Sequence, residues 1–184
     1  MRIKFLCVLL VAVCSGCAQK NEPLIKMENQ IAISSVRDYS TVYPKATKFK
    51  VVPRYVDSKT LPDEVQKSIY RQFQAQIENT LQAWGYELAN NDEQEVFYIR
   101  FAIALSSDVN DELIGKHFGI TPGLHQADNM EKGSLFMAIH DKESQLRIWR
   151  ATAQGIVQNT TDEERLERIK NVVSSVLRQF FVTS

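Results

Sequence analysis

Histidine, glycine and cysteine are scarce in this sequence, and each scarcity removes a class of chemistry. The three histidines among 184 residues, His117, His125 and His140, have no metal-ligand spacing: two lie eight apart in a loop-like stretch and the third ends a strand-like one. All three read as ordinary surface or loop histidines. The seven glycines include no phosphate-cradling loop and no G-x-S-x-G elbow. The cysteines, Cys7, Cys14 and Cys17, all fall near the start, so no disulfide can staple the remainder of the chain. Charge of one sign is missing too: 22 basic and 22 acidic residues cancel, which leaves no electrostatic footprint for nucleic acid. No repeat or low-complexity tract appears. With no catalytic constellation, metal set or cofactor motif in view, a non-enzymatic protein is expected.

A long apolar run is also absent. The stretch from Phe5 to Val13 is apolar, but Gln19-Lys20-Asn21-Glu22 is already polar, well short of the ~20 residues that span ~30 Å of hydrocarbon. In its place stand Arg2 and Lys4, the apolar stretch, then small residues, the order of a secretory signal peptide. Its end, Cys14-Ser15-Gly16-Cys17, resembles the attachment site of bacterial lipoproteins. That resemblance implies a covalent diacylglycerol on Cys17, cleavage before it, and acylation of the new amine. Cys14 departs from the usual aliphatic residue at its position, and the alternative is an ordinary cleaved signal leaving Cys17 as a free thiol. By the same resemblance, Ala18 in second place implies sorting to the outer membrane of a Gram-negative cell, with the protein lipid-anchored at its periplasmic face.

Losing residues 1–16 removes Arg2 and Lys4 and no acids, so 22 basic residues become 20 against 22 acidic, a net charge of 20 − 22 = −2. Residues 17–30 are mostly polar with Pro23 and read as a lipidated flexible tether; the roughly thirteen residues from Ala18 to about Gln30 hold a domain ~20 Å from its anchor. Residues 31–184 then form a single globular domain, long enough to bury a core without metals or disulfides.

Within that domain, alternation places strands near 31–39 and 47–52, the second closed by Pro53. Thr60-Leu61-Pro62-Asp63-Glu64 reads as a helix start with Thr60 as N-cap, and Val65, Ile69, Phe73, Ile77, Leu81 and Trp84 form its apolar stripe up to Gly85. Residues 86–89 add a short strand. The clearest strand spans 95–106, where Phe97, Ile99, Phe101, Ile103 and Leu105 alternate with a mixed set. Strands at 133–140 and 146–157 make a hairpin through the polar turn Asp141-Lys142-Glu143-Ser144-Gln145. Thr161-Asp162-Glu163-Glu164 has capping-box spacing before a helix whose apolar face is Leu166, Ile169, Val173, Val176, Leu177 and Phe180. The expected fold class is α+β: a mostly antiparallel sheet with two long amphipathic helices packed on one face.

Three segments now carry a family resemblance: Asp38-Tyr39-Ser40 before Thr47-Lys48-Phe49, the helix end Trp84-Gly85-Tyr86, and Leu146-Arg147-Ile148-Trp149-Arg150 before a capped helix. Over about residues 31–184 the chain resembles the bacterial lipoprotein family called domain of unknown function 4136. The resemblance implies an α+β domain hung from the outer membrane in the manner of small envelope-assembly lipoproteins, and it brings no assigned reaction.

Two regions are candidate partner surfaces. One is the connection 107–132, where apolar Leu113, Ile114, Phe118, Ile120 and Leu124 stand among Gly115, Gly119, Pro122 and Gly123; a loop folded back over the sheet is the plainer reading. The other is the sheet face away from the helices, where Tyr98, Arg100, Arg150, Thr152 and Gln154 are expected to share a surface that is otherwise an ordinary solvated sheet face. The expected role is an interaction or structural module: membrane contact through the lipid, an envelope protein as partner, and no nucleic acid. The alternative is a carrier of a lipid-like apolar ligand, with the loop as its lid.

Overall fold

The computed structural model describes residues 31–56, 58, 60–90, 94–105, 132–157 and 160–181. The signal segment, Cys17, Ala18, the tether, and the loop residues Leu113, Ile114, Phe118, Ile120 and Leu124 lie outside them. So do His117 and His125.

Strands β1 (Ile31–Arg37), β2 (Lys48–Pro53), β3 (Glu87–Leu88), β4 (Phe97–Leu105), β5 (Lys132–Asp141) and β6 (Arg147–Ile156) join helices α1 (Asp63–Ala83) and α2 (Asp162–Phe181). The sheet order is β1-β6-β5-β4-β2-β3. The pairs β1/β6, β6/β5 and β5/β4 are antiparallel, while β2 runs parallel to both β4 and β3. The mostly antiparallel α+β expectation holds. Its parallel part has a mechanical cause: α1 carries the chain back along the sheet after β2, so the next strands start from the same end.

Both helices cover one face. There Ile99 and Phe101 of β4 stand in register with Ile139 and Met137 of β5, and these with Trp149 and Ala151 of β6; with Phe97 they are buried against Ile77 and Leu81 of α1 and Val173, Leu177 and Phe180 of α2. The helix C-termini meet this sheet end through an aromatic cluster. Phe97 is its centre, with ring centroids 4.3 Å from Tyr43, and 6.0 Å from each of Phe49, Tyr86 and Phe181. Arg37 donates from Nη2 to the Phe180 carbonyl at 2.7 Å, closing an orphan acceptor at the end of α2.

The helix boundaries test the sequence reading. Gly85 takes φ +89°, its N–H bonds the Gln82 carbonyl and the Tyr86 N–H bonds that of Leu81, a Schellman ending with Tyr86 and Leu81 as its apolar pair. At α2, Thr161 N–H reaches Glu164 Oε2 at 3.0 Å and Glu164 N–H reaches Thr161 Oγ1 at 3.3 Å, the reciprocal capping box. The start of α1 differs. Pro62 is the N-cap and offers no side-chain bond; Thr60 is two residues too early, and Ser58 Oγ instead accepts from the amides of Thr60 and Leu61.

The apolar stripes differ as well. Ile77 and Leu81 are buried, yet Val65 is 42% exposed and Leu166 of α2 is 51% exposed. Val65 lies in the first turn of α1 and Leu166 just past the first turn of α2. Tyr70, absent from the predicted stripe, is fully buried instead: its hydroxyl lies 2.9 Å from the Arg54 carbonyl and 3.1 Å from the Ile103 carbonyl, and accepts from the Val56 and Ile103 amides at 3.1 Å.

Candidate functional site

Strand alternation dictates what the other face presents. Residues two apart point the same way, so Tyr98, Arg100 and Ala102 of β4 align with His140, Ala138 and Phe136 of β5. Ala138 and Phe136 align in turn with Arg150 and Thr152 of β6, and Ser134 with Gln154. The five residues expected to share this face do share it. Arg100 and Arg150 are not adjacent, however, because β5 runs between them and Ala138 separates the two; two strand spacings put their Cα atoms about 10 Å apart.

The expectation of an ordinary solvated face is corrected. Tyr98 is 8% exposed, Thr152 2% and Gln154 7%, and Phe136 is buried with Ala102 and Ala104 under Val56. His140 is likewise no ordinary surface histidine: its ring stacks on Tyr98 with centroids 5.0 Å apart and planes 2° from parallel. The Arg100 guanidinium lies 5.0 Å from the Tyr98 ring centroid.

Electrostatics single out the same spot. Asp38, just past β1, accepts from Arg147 Nε and from Arg150 Nη1, each at 3.1 Å, so two of the three segments that carried the family resemblance meet here. Three buried side-chain atoms of this face find no hydrogen-bond partner: Arg100 Nε, Arg150 Nε and Thr152 Oγ1. Burial first, then the positive charges of Arg100, Arg147 and Arg54, hold the His140 imidazole down to about 4 from its ordinary 6.5. Arg54 and Arg147 were not legible as site residues. Arg54 follows a strand that pairs out of sequence order, and Arg147 reaches the face only through the irregularity between Ile139 and His140.

This shift has a measurable consequence. The folded chain binds a proton at His140 less readily than the unfolded chain does, so between pH 6.5 and about 4 the unfolded state holds the extra proton. Stability contributed by the neutral ring is therefore complete above pH 6.5 and is lost as the pH falls through that window. Urea midpoints are expected to decline on acidification across it, and His140→Gln, which cannot titrate, is expected to flatten that part of the curve. An unchanged slope in the variant would refute the assignment.

On the helix side lies a second feature. Where the N-terminal halves of α1 and α2 part, a cavity of about 610 Å³ opens against the ends of β4, β5 and β6, lined by Ile69, Phe73, Leu105, Leu135, Ile169 and Val172. Ser58, Thr160, Arg165 and Arg168 add polar groups to its wall. It explains the exposed first turn of α1: the stripe that begins at Val65 faces this opening and not the sheet.

Among the described residues no group of three His, Cys, Asp or Glu side chains is placed to hold a metal ion, and no helix is long and apolar enough to cross a membrane. What the arrangement offers chemically is cationic hydrogen-bond donors on one face and an apolar cavity on the other.

No curated protein matches the sequence. Among solved structures, a DUF4136 family protein from Bacteroides thetaiotaomicron superposes with a TM-score of 0.53 at 14% identity, covering 81% of this chain and 95% of that one. The PelC dodecamer from Paraburkholderia phytofirmans gives 0.49 at 11%, over 80% and 96%. A lipoprotein from Neisseria meningitidis gives 0.29 at 12%, over 75% and 99%. Likeness at these identities speaks to the fold alone, which the first of them shares. The sequence also matches the family model described as "Domain of unknown function (DUF4136)" over residues 34–180, so the chain belongs to that family.

Proposed function

We propose that this protein is a non-enzymatic lipoprotein of the cell envelope, anchored through Cys17 at the periplasmic face of the outer membrane and working as an interaction module. The observation that carries the reading is the sheet face of Tyr98, Arg100 and Arg150. It gathers guanidinium groups, a stacked aromatic pair and unpaired donors on one face, and it reaches solvent at its Arg147 and Arg150 side, where the side chains are 35% and 17% exposed; arginine is enriched where protein partners dock. The signal-like start and Cys17 supply the address, and Ala18 the sorting residue.

One experiment tests both halves. Wild-type cells are expected to yield membrane-bound protein with an acyl mass at Cys17, and Cys17→Ser is expected to release it without that mass. A photoreactive residue at Val36, exposed and in register with Arg150, is expected to cross-link a discrete envelope protein, while the same residue at Leu166 on α2 is not. Membrane retention of Cys17→Ser with unchanged mass would defeat the anchor. Equal cross-linking from both positions would defeat the face.

A second reading, a carrier of an apolar ligand, is favoured by the cavity between α1 and α2; its size lies in the range of small-molecule sites. An apolar molecule retained by the folded protein in native mass spectrometry would favour it.

A further inference from the structure

We infer that Arg100 and Arg150, on either side of Ala138 on the sheet face away from the helices, form an oxyanion site that takes a phosphate-bearing ligand. The inference rests on the reading of that face as the working surface and adds the chemistry of what it recognises.

Geometry comes first. Ala138 is in register with both arginines, and its side chain is a single methyl group, so nothing bulky stands between them. Their spacing, about 10 Å at Cα across two strand intervals, lets two long side chains converge on one anion. Thr152, next in line on β6 and 2% exposed, leaves its hydroxyl without a partner, as do the Nε atoms of both arginines. Buried polar atoms left unmatched are uncommon, and three on one face call for an acceptor.

Charge points the same way. Arg54, Arg100, Arg147 and Arg150 gather here, and Asp38 is the carboxylate that meets them; the other carboxylate that alternation puts on this face, Glu87, stands at its far edge on β3 in register with Lys48. Asp38 is shared by Arg147 and Arg150, while no ion pair with a described residue engages Arg100. The stacked His140 stays neutral under these charges and adds none of its own. Four guanidinium groups around a single nearby carboxylate, Asp38, suit a ligand with more than one negative charge and several acceptor oxygens. A phosphate supplies both, and the planar fork of arginine matches its oxygens better than a lysine ammonium does.

The test is a titration of the full chain carrying Cys17→Ser with inorganic phosphate, following the Nε–H signals of Arg100 and Arg150 and the His140 ring by NMR. Saturable shifts of all three are expected, with the His140 pKa moving up when phosphate is bound, because an anion favours the imidazolium. Arg100→Met is expected to weaken binding about 10-fold or more, the size of one lost charge-assisted hydrogen bond. Lys170→Met, on α2, should leave it unchanged. Arg100 is the informative variant, since removing Arg150 also unpairs Asp38. Vesicles identify the source: pelleting with phosphatidic acid but not phosphatidylcholine, lost in Arg100→Met, assigns a lipid headgroup, while phosphate binding without pelleting assigns a soluble phosphorylated ligand. The site is overturned if phosphate moves none of these signals or if Arg100→Met binds like the parent. Cross-linking from Val36 is scored separately, so an intact adduct beside absent phosphate binding refutes this inference alone.

Discussion

Phe97→Ala is expected to destabilise the protein by about 3–5 kcal/mol, the cost of emptying a buried phenylalanine site. At 2–4 °C per kcal/mol for a domain of this size, the thermal midpoint should fall by about 6–20 °C. The reason is position. Phe97 is completely buried where the start of β4 meets both helix C-termini, stacked on Tyr43 with planes 15° apart and edge-on to Tyr86 at 88°. Its removal opens a cavity that Tyr43 and Tyr86 cannot easily fill, because their hydroxyls are already committed: Tyr86 donates to the Tyr43 carbonyl at 3.1 Å and Tyr43 to Asp141 Oδ2 at 3.0 Å. Val96→Ala, one residue earlier and exposed, should change stability by no more than about 0.5 kcal/mol. Urea unfolding of the pair checks this, and a Phe97→Ala loss below about 1 kcal/mol would show that the cluster is not the packing centre described.

Tyr70→Phe should cost about 2–3 kcal/mol although it deletes one oxygen atom. That oxygen accepts from the Val56 and Ile103 amides and is within donating distance of the Arg54 and Ile103 carbonyls. It therefore ties the segment after β2 and the end of β4 to α1. The phenyl ring would still pack on Phe101, at 5.6 Å between centroids, so the loss is a hydrogen-bonding loss: partly buried backbone groups that lose a partner cost about 1–3 kcal/mol each. The measurement with most resolving power is amide hydrogen exchange, where Val56 and Ile103 should lose protection while Val51, deeper in the same sheet, keeps it. Uniform loss across all three would argue for global destabilisation in place of this local tie. Gln66, whose side-chain amide donates to the Val56 carbonyl, holds the same segment and should partly limit its fraying.

How much of this was legible in the sequence varies element by element. The strand at Phe97–Leu105 and the stripe of α2 from Ile169 to Phe180 were clear, because period 2 and period 3.6 are local signals that each segment carries alone. The two caps at Gly85 and Thr161 were clear for the same reason, since a Schellman turn and a capping box close within a few residues. Thr60 misled because Pro62, with φ −59° and ψ 144°, holds the extended conformation a cap needs and moves the start inward. Val65 and Leu166 misled because periodicity names a face without saying how far the facing layer extends; at Val65 the helices part before the sheet ends, and the cavity takes the place of contact.

The site was half legible. Tyr98, Arg100, Arg150, Thr152 and Gln154 were placed together from alternation, and they do share a face. Their burial, the Tyr98–His140 stack, and the sharing of Asp38 by Arg147 and Arg150 were invisible, because each depends on pairing between residues far apart in the chain. Asp38 and Arg150 are separated by 112 positions.

By itself, then, the sequence determined the elements, their apolar faces, the family, and the case for an anchor at Cys17, all of which rest on short-range pattern. Only the tertiary structure decided the strand order β1-β6-β5-β4-β2-β3, with β2 parallel to its neighbours. That order sets Ala138 between Arg100 and Arg150, brings Asp38 to the outer strands, and leaves a cavity where two parallel-running helices diverge. Hydrogen-bond ladders can join any two strands of compatible pattern; which pair forms is settled by the whole chain burying its apolar faces at once, and no local window contains that choice.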